Sequence, residues 1–215
     1  MLLPEKIQQG QVYASVSYVR DFLTQGILPK IHSNMGDAMT QIPRHERTSA
    51  IDVGACHGML TMRAHTMGWA NVLGLEYDQG SINLFNTALK RQGVSLQQAD
   101  LNPLLLGFAP MMTMLIQQRS VTTVFARRVL SELFSTVHGR LDGADPKVIA
   151  DSGARFTDVL LAAGVKYLVM EGRSFSSRST HPIPHTQAEL DALGPRWQVI
   201  YRNKAPYGAC LLMPR

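Results

Sequence analysis

The sequence predicts an α/β fold: a doubly wound, mostly parallel sheet of seven strands that ends in an antiparallel hairpin. Three observations lead there. Short apolar runs alternate with helical stretches five times between residues 49 and 170. A glycine turn follows the first run, and acidic residues close the first three. Two further apolar stretches joined by a short turn end the chain. Alternation of this kind demands parallel strands with crossover helices on both faces, and a closing hairpin adds an antiparallel strand.

The elements follow in order. Residues 1–48 read as an N-terminal helical leader, and 49–215 as the main domain. In the leader, Tyr13, Val16, Val19, Phe22 and Leu23 repeat near the helical period up to Gly26, and His32 to Thr48 is polar, a loop or a short helix within one. Ser49 to Val53 is a buried strand ending at Gly54, followed by a helix from Met59 to Met67 closed by Gly68. Ala70 to Glu76 is the second strand, Ser81 to Gln92 a helix with Ile82, Phe85, Ala88 and Leu89 on one face, and Val94 to Ala99 the third strand. A Met- and Leu-rich helix is expected over Pro103 to Ser120, then a fourth strand over Val121 to Ala126. One or two helices fill 127–164, broken at Leu141 to Pro146, before a fifth strand from Val165 to Met170. A polar loop from Gly172 to His185, a short helix from Gln187 to Leu193 and strands at Trp197 to Asn203 and Ala205 to Met213 complete the chain.

With 215 residues and 45% hydrophobic content, the chain can build one sizeable core. No apolar run is long enough to span a bilayer, and the first residues lack the basic and apolar regions of a signal peptide, so no membrane partner is expected. Cys56 and Cys210 lie far apart and read as free thiols in a reducing compartment, the cytoplasm, and no Cys/His spacing suggests a metal site. The net charge of +5 either attracts anionic partners, nucleic acid among them, or simply keeps the protein dispersed.

Ligands of open parallel sheets bind beyond the carboxyl ends of the strands. Asp52 stands near the end of the first strand, Glu76 and Asp78 at the second, and Asp100 at the third. Gly54 and Gly58 let the backbone approach a ligand closely, and the helix that follows offers unpaired N–H groups. The segment Ile51-Asp52-Val53-Gly54-Ala55-Cys56-His57-Gly58 resembles the first motif of the class I S-adenosylmethionine-dependent methyltransferases, whose sheet is Rossmann-like. The intervals from Asp52 to Glu76 and from Glu76 to Asp100 are both 24 residues, one strand-helix-strand step each. The resemblance covers about residues 49–213 and implies S-adenosylmethionine as cofactor. It implies that Asp52, Gly54, Ala55, Cys56, His57 and Gly58 face the methionine part, that Glu76 binds the ribose hydroxyls, and that Asp100 receives the adenine amine. Tyr77, Leu101 and Ala126 complete the cofactor set implied by the resemblance. The chain departs from the common pattern at Cys56, where many members carry a glycine.

Methyl transfer needs an acceptor held in line with the methyl group and, for a hydroxyl or ammonium acceptor, a proton removed. Glu171, Arg127 and His138 are the leading catalytic candidates, with Glu132, Arg173, Arg178, His181 and His185 as further acceptor-side residues. An arginine at the fourth strand end suits an anionic acceptor or the cofactor, and equally a solvated helix start. The strand end Phe125-Ala126-Arg127-Arg128 carries no Pro-Pro-aromatic motif of DNA amino-methyltransferases, and neither cysteine has the Pro-Cys setting of cytosine C5 enzymes. Of the Lys-Asp-Lys-Glu set of ribose 2′-O enzymes, Lys30 and Glu171 are at most fragments. The leading expectation is a methyltransferase acting on a small molecule or sugar. The others are a nucleic-acid-directed enzyme, marked by one basic patch joining Arg127, Arg128, Arg173, Arg178 and Arg202, and a non-catalytic binding or scaffold subunit.

Overall fold

The computed structural model describes residues 35–88, 92–135, 145–172, 185–203 and 208–215. The helix expected over Tyr13 to Leu23, Lys30, His138, most of the 172–185 loop and the turn of the closing hairpin lie outside them. The elements are β1 (Ser49–Val53), α1 (Met59–Thr66), β2 (Asn71–Glu76), α2 (Gln79–Ala88), β3 (Val94–Gln98), α3 (Phe108–Gln118) and β4 (Thr123–Arg127). They continue as α4 (Leu130–Ser135), α5 (Pro146–Ala162), β5 (Tyr167–Glu171), α6 (His185–Leu193), β6 (Trp197–Arg202) and β7 (Cys210–Pro214).

One seven-stranded sheet runs in the order β3-β2-β1-β4-β5-β7-β6. β1 to β5 pair in parallel, and β7 is antiparallel to both β5 and β6. The order reverses between β1 and β4, the switch point at which open sheets of this kind bind ligands. Successive strand residues alternate between two cores, as a pleated strand requires. Ile51, Val53, Val124, Ala126, Leu168 and Met170 join one core with Phe108, Phe134 and Phe156. Ala50, Phe125, Tyr167 and Val169 join the other with Trp69 and residues of α1.

Helix caps account for where the strands begin. Their apolar character alone would place Val121 and Val165 inside β4 and β5. Ser120 takes φ +50° and Gly164 φ +88°, and the next amides turn back to Ile116 O at 2.9 Å and Leu160 O at 3.0 Å. These left-handed caps close α3 and α5 and consume the residues that follow. The strands start at Thr123 and Tyr167 and extend past the expected ends to Arg127 and Glu171, which pair in register. The helix expected from Pro103 begins only at Phe108, because Asn102 accepts the Leu104 N–H at 3.0 Å and holds a turn there. The predicted break before Pro146 ends on Asp145, which caps α5 by accepting the Lys147 N–H at 2.8 Å.

The end of the leader is part of the core. Residues 35–40 are helical, and Met35, Ala38, Met39 and Ile42 are fully buried against Trp69, Phe125 and Val169. Arg47 fastens this segment, donating to Thr40 O, Ile42 O and Met67 O with its guanidinium 5.2 Å from the centre of the Trp69 ring.

Candidate functional site

The glycine turn joins β1 to α1 at the switch point. Gly54 and Gly58 take φ +67° and +72°, conformations that favour a residue without Cβ. Both are also sterically closed, since a Cβ would lie 2.4 Å from Val129 at Gly54 and 2.4 Å from Phe85 at Gly58. Val129 thus packs the turn against the β4–α4 connection. The Ala55 amide donates to Leu75 O at 2.9 Å and pins the turn to the end of β2.

Cys56 stands in the same turn at φ +51°, in the left-handed region that favours glycine. A left-handed non-glycine residue costs about 1–2 kcal/mol, partly offset by the extra freedom glycine gives the unfolded chain. Cys56→Gly is therefore expected to raise stability by about 0.5–1 kcal/mol, read as a higher urea midpoint with an unchanged slope. A lower midpoint would show that the thiol contributes packing that outweighs the strain.

Glu76 is the hub of the site and is almost completely buried. Its Oε2 accepts the Cys56 N–H at 2.7 Å, and its Oε1 accepts those of Tyr77 at 2.8 Å and Asp78 at 2.9 Å. One carboxylate thus ties the glycine turn to the turn after β2. Asp78 caps α2, accepting from the Ser81 amide and hydroxyl at 2.8 Å and from the Gly80 amide at 3.2 Å. Burial alone would raise its pKa, but the Ser81 and Gly80 donors hold it below the ordinary value. Asp100 is exposed and accepts the Asn102 N–H at 3.1 Å; the next helix starts at Phe108, so Asp100 is not its cap. Tyr77 is half-exposed beside it, held through a Gln98 Nε2 bond to its carbonyl at 3.2 Å, and Leu101 is buried. His57 is buried in the turn, Cys56 is exposed there, and Ala126 is buried opposite Val53.

Asp52 lies beneath the turn and is 2% exposed. Thr61 of α1 donates to its Oδ2 at 2.7 Å. Burial pushes its pKa up to about 7, against the pull of the Thr61 hydrogen bond and of Arg127. Because the folded value exceeds the ordinary 3.8, the stability tied to the neutral carboxyl is full below about pH 4 and is lost as the pH rises through about 7. Asp52→Asn removes this titration. Urea unfolding should show the variant gaining on the wild type between about pH 5 and about pH 8, and equal pH profiles would contradict the shifted carboxyl.

At the ends of β4 and β5, the buried carboxylate of Glu171 lies between two consecutive arginines. Arg128 Nε donates to Glu171 Oε1 at 2.8 Å, and Arg127 Nε lies 3.5 Å from Oε2. Burial lowers the Arg127 pKa while Glu171 opposes that shift. Arg128 takes φ +56°, and its amide donates to Glu171 O at 2.6 Å. Glu132 lies on α4, half-buried. Arg202 donates to Gln187 at 3.0 Å. Arg173, Arg178, His181 and the His185 side chain lie, like His138, outside the described residues.

Sequence reasoning missed Thr61, Gly74 and Val129. Thr61 carries a faint signal as a polar residue among the buried positions Met59, Leu60 and Ala64 of α1. Gly74 pairs in register with Asp52, and a Cβ there would meet Leu96 at 2.1 Å, Ala55 at 2.7 Å and Thr61 Oγ1 at 2.9 Å. Among the described residues no helix is long and apolar enough to cross a membrane.

No protein-family model and no curated protein sequence matches this chain. Solved structures share its fold at low identity. DesVI of Streptomyces venezuelae is 14% identical with a TM-score of 0.57, the match covering 94% of this chain and 99% of that one. Magnesium protoporphyrin IX methyltransferase of Synechocystis, solved with bound S-adenosylmethionine, is 14% identical with a TM-score of 0.52, over 98% of this chain and 90% of that one. The 16S rRNA methylase RmtB is 12% identical with a TM-score of 0.53, over 100% of this chain and 76% of that one.

Proposed function

We propose that this chain, which has the Rossmann-like fold of the class I S-adenosylmethionine-dependent methyltransferases, binds S-adenosylmethionine and transfers its methyl group to a non-base acceptor, a small molecule or a sugar. The observation that carries the cofactor assignment is the order of groups across three adjacent strand ends. The glycine turn follows β1, Glu76 ends β2, and Asp100 follows β3. The residues fit the group. A carboxylate offers about four acceptor sites. Glu76 uses three for backbone amides, which leaves room for a ribose hydroxyl, and exposed Asp100 keeps acceptor capacity for an amine. Closed contacts at Gly54 and Gly58 keep the turn thin enough for close backbone approach. Ala55, Cys56, His57, Tyr77, Leu101 and Ala126 line the same ends.

When bound, the cofactor supplies an electrophilic methyl group on a cationic leaving group. The chain's part is to bind, orient and exclude water. Ion pairing with Arg127 and Arg128 makes Glu171 a holder of guanidiniums rather than a base, and those guanidiniums suit an anionic group on the acceptor. Solved methyltransferases of this fold include one for magnesium protoporphyrin IX and one for 16S rRNA, so the fold admits both acceptor classes. The absence of the base-methylation motifs at Phe125 to Arg128 favours the non-base acceptor.

Calorimetric titration with S-adenosylhomocysteine tests the cofactor, and no heat of binding from the intact protein would sink the assignment. Incubation with methyl-labelled cofactor and fractionated cell extract tests the acceptor. Label in small molecules that survives nuclease supports the reading, label released by nuclease replaces it with the nucleic-acid one, and binding without any transfer points to a scaffold subunit.

A further inference from the structure

We propose that Thr61 is a positioning residue of the cofactor site, its hydroxyl holding the Asp52 carboxylate beneath the glycine turn in the orientation that receives the cationic methionine end of the cofactor. This rests on the reading that the turn binds S-adenosylmethionine. Thr61 is 0% exposed and Asp52 2% exposed, so neither exchanges this bond for water. A helical threonine commonly returns its hydroxyl to a carbonyl of the preceding turn. Here the hydroxyl leaves the helix and reaches Oδ2 of a residue on β1 at 2.7 Å.

The surroundings are shaped for that reach. Gly74 sits beside Asp52 on β2, and the space its missing Cβ leaves is bordered by Thr61 Oγ1 at 2.9 Å and by the Cβ of Ala55, a member of the turn, at 2.7 Å. Asp52, Thr61, Gly74 and Ala55 are therefore one interlocked unit under the turn. The first turn of α1 cannot rotate without dragging Thr61 from the carboxylate.

The charged groups around Asp52 are few. Arg127 reaches it from β4 and favours the carboxylate, while Glu76 from β2 opposes it. Against strong desolvation, Thr61 is the neutral donor that favours the ionised form. An ionised Asp52 attracts the ammonium group that S-adenosylmethionine and S-adenosylhomocysteine share, and a protonated one does not. Thr61 thereby acts on binding through Asp52, in position and in charge.

The test uses Thr61→Val, which keeps the branched shape and removes the donor, and Thr61→Ser, which keeps the donor. S-adenosylhomocysteine affinity is measured by calorimetry between about pH 6 and about pH 8.5, and the Asp52 carboxyl is titrated by carbon NMR in the ligand-free protein. Thr61→Val is expected to raise the Asp52 midpoint by about one unit, which weakens binding about tenfold near pH 6 and about fivefold at pH 7, where the wild-type carboxyl is already about half ionised. The defect should shrink as the pH rises, and Thr61→Ser should restore both readouts. A loss of affinity that is the same at every pH, an unmoved midpoint, or full affinity in Thr61→Val overturns the proposal while leaving cofactor binding intact. Failure of the wild type itself to bind at any pH overturns the cofactor reading and the positioning role with it, whatever the NMR midpoint does.

Discussion

Glu76→Ala should lower the affinity for S-adenosylhomocysteine by at least about a hundredfold, close to 3 kcal/mol. Two losses combine. The proposed acceptor of the ribose hydroxyls disappears, and so does the anchor of the protein's own loops. Three backbone amides, of Cys56, Tyr77 and Asp78, converge on this buried carboxylate. Hydrogen bonds to a charged partner contribute about 1.5–3 kcal/mol each, and amides left buried without an acceptor cost comparable amounts. Water entering the gap will recover part of that, so a stability loss of about 2–4 kcal/mol is expected in urea unfolding. Glu76→Gln separates the two roles. Its amide oxygen can still accept from Tyr77 and Asp78, as Oε1 does now, but its NH2 must then face the Cys56 amide, donor against donor. Glu76→Gln should thus be the more stable variant while binding nearly as poorly as Glu76→Ala. Affinity within about threefold of the wild type for either variant would remove Glu76 from the cofactor site.

The same carboxylate shows which parts of the molecule the sequence discloses. Strand ends at Asp52 and Glu76 are legible because a buried parallel strand is a short apolar run, and its end is where polar residues resume. Gly54 and Gly58 are legible because left-handed backbone is written in glycine. Cys56 takes the same conformation with a side chain, at φ +51°, and only the folded turn reveals it. Val121 and Val165 resemble strand residues since both are apolar and β-branched. The helix caps at Ser120 and Gly164 claim them, and a cap depends on how a helix ends rather than on the residue that follows it. Arg127 and Glu171 are each visible as charges at strand ends, but their pairing needs β4 and β5 to lie side by side in register. The Thr61–Asp52 bond needs the orientation of α1 over β1, which no local pattern encodes. The leader reads as largely polar from 32 to 48. Its four apolar residues Met35, Ala38, Met39 and Ile42 nevertheless fill a core whose other wall, at Trp69, Phe125 and Val169, is built by distant segments. Local rules thus find the proposed cofactor half of the site, a backbone turn written in glycine. The proposed acceptor half is made of side chains brought together by the sheet.

Gly58→Ala should cost about 2–5 kcal/mol of stability and lower the melting temperature by about 5–15 °C in a protein of this length. Two terms add. An L-residue held in the left-handed region costs about 1–2 kcal/mol. The new methyl group would also lie 2.4 Å from Phe85 Cδ2 and 2.6 Å from Cε2. Phe85 is fully buried in a cluster with Ala55, Ile82, Val94 and Leu96, so it cannot swing aside into solvent. Forcing such a core to accept one more carbon costs about 1–3 kcal/mol. Gly194→Ala supplies the control. Gly194, just past α6, takes φ +77°, close to the +72° of Gly58, and a Cβ added there would have nothing within 4 Å, so alanine meets a similar backbone penalty without the clash. The excess loss in Gly58→Ala over Gly194→Ala reads the Phe85 contact directly, and equal losses would mean that Phe85 yields freely. Function should separate the two variants more sharply than stability does. The alternative to a clash is a displaced turn, and a turn displaced by a few tenths of an ångström carries with it the Cys56 amide that Glu76 accepts at 2.7 Å. Gly58→Ala is therefore expected to lose S-adenosylhomocysteine binding at temperatures where it is still folded, whereas Gly194→Ala, just past α6, should keep it.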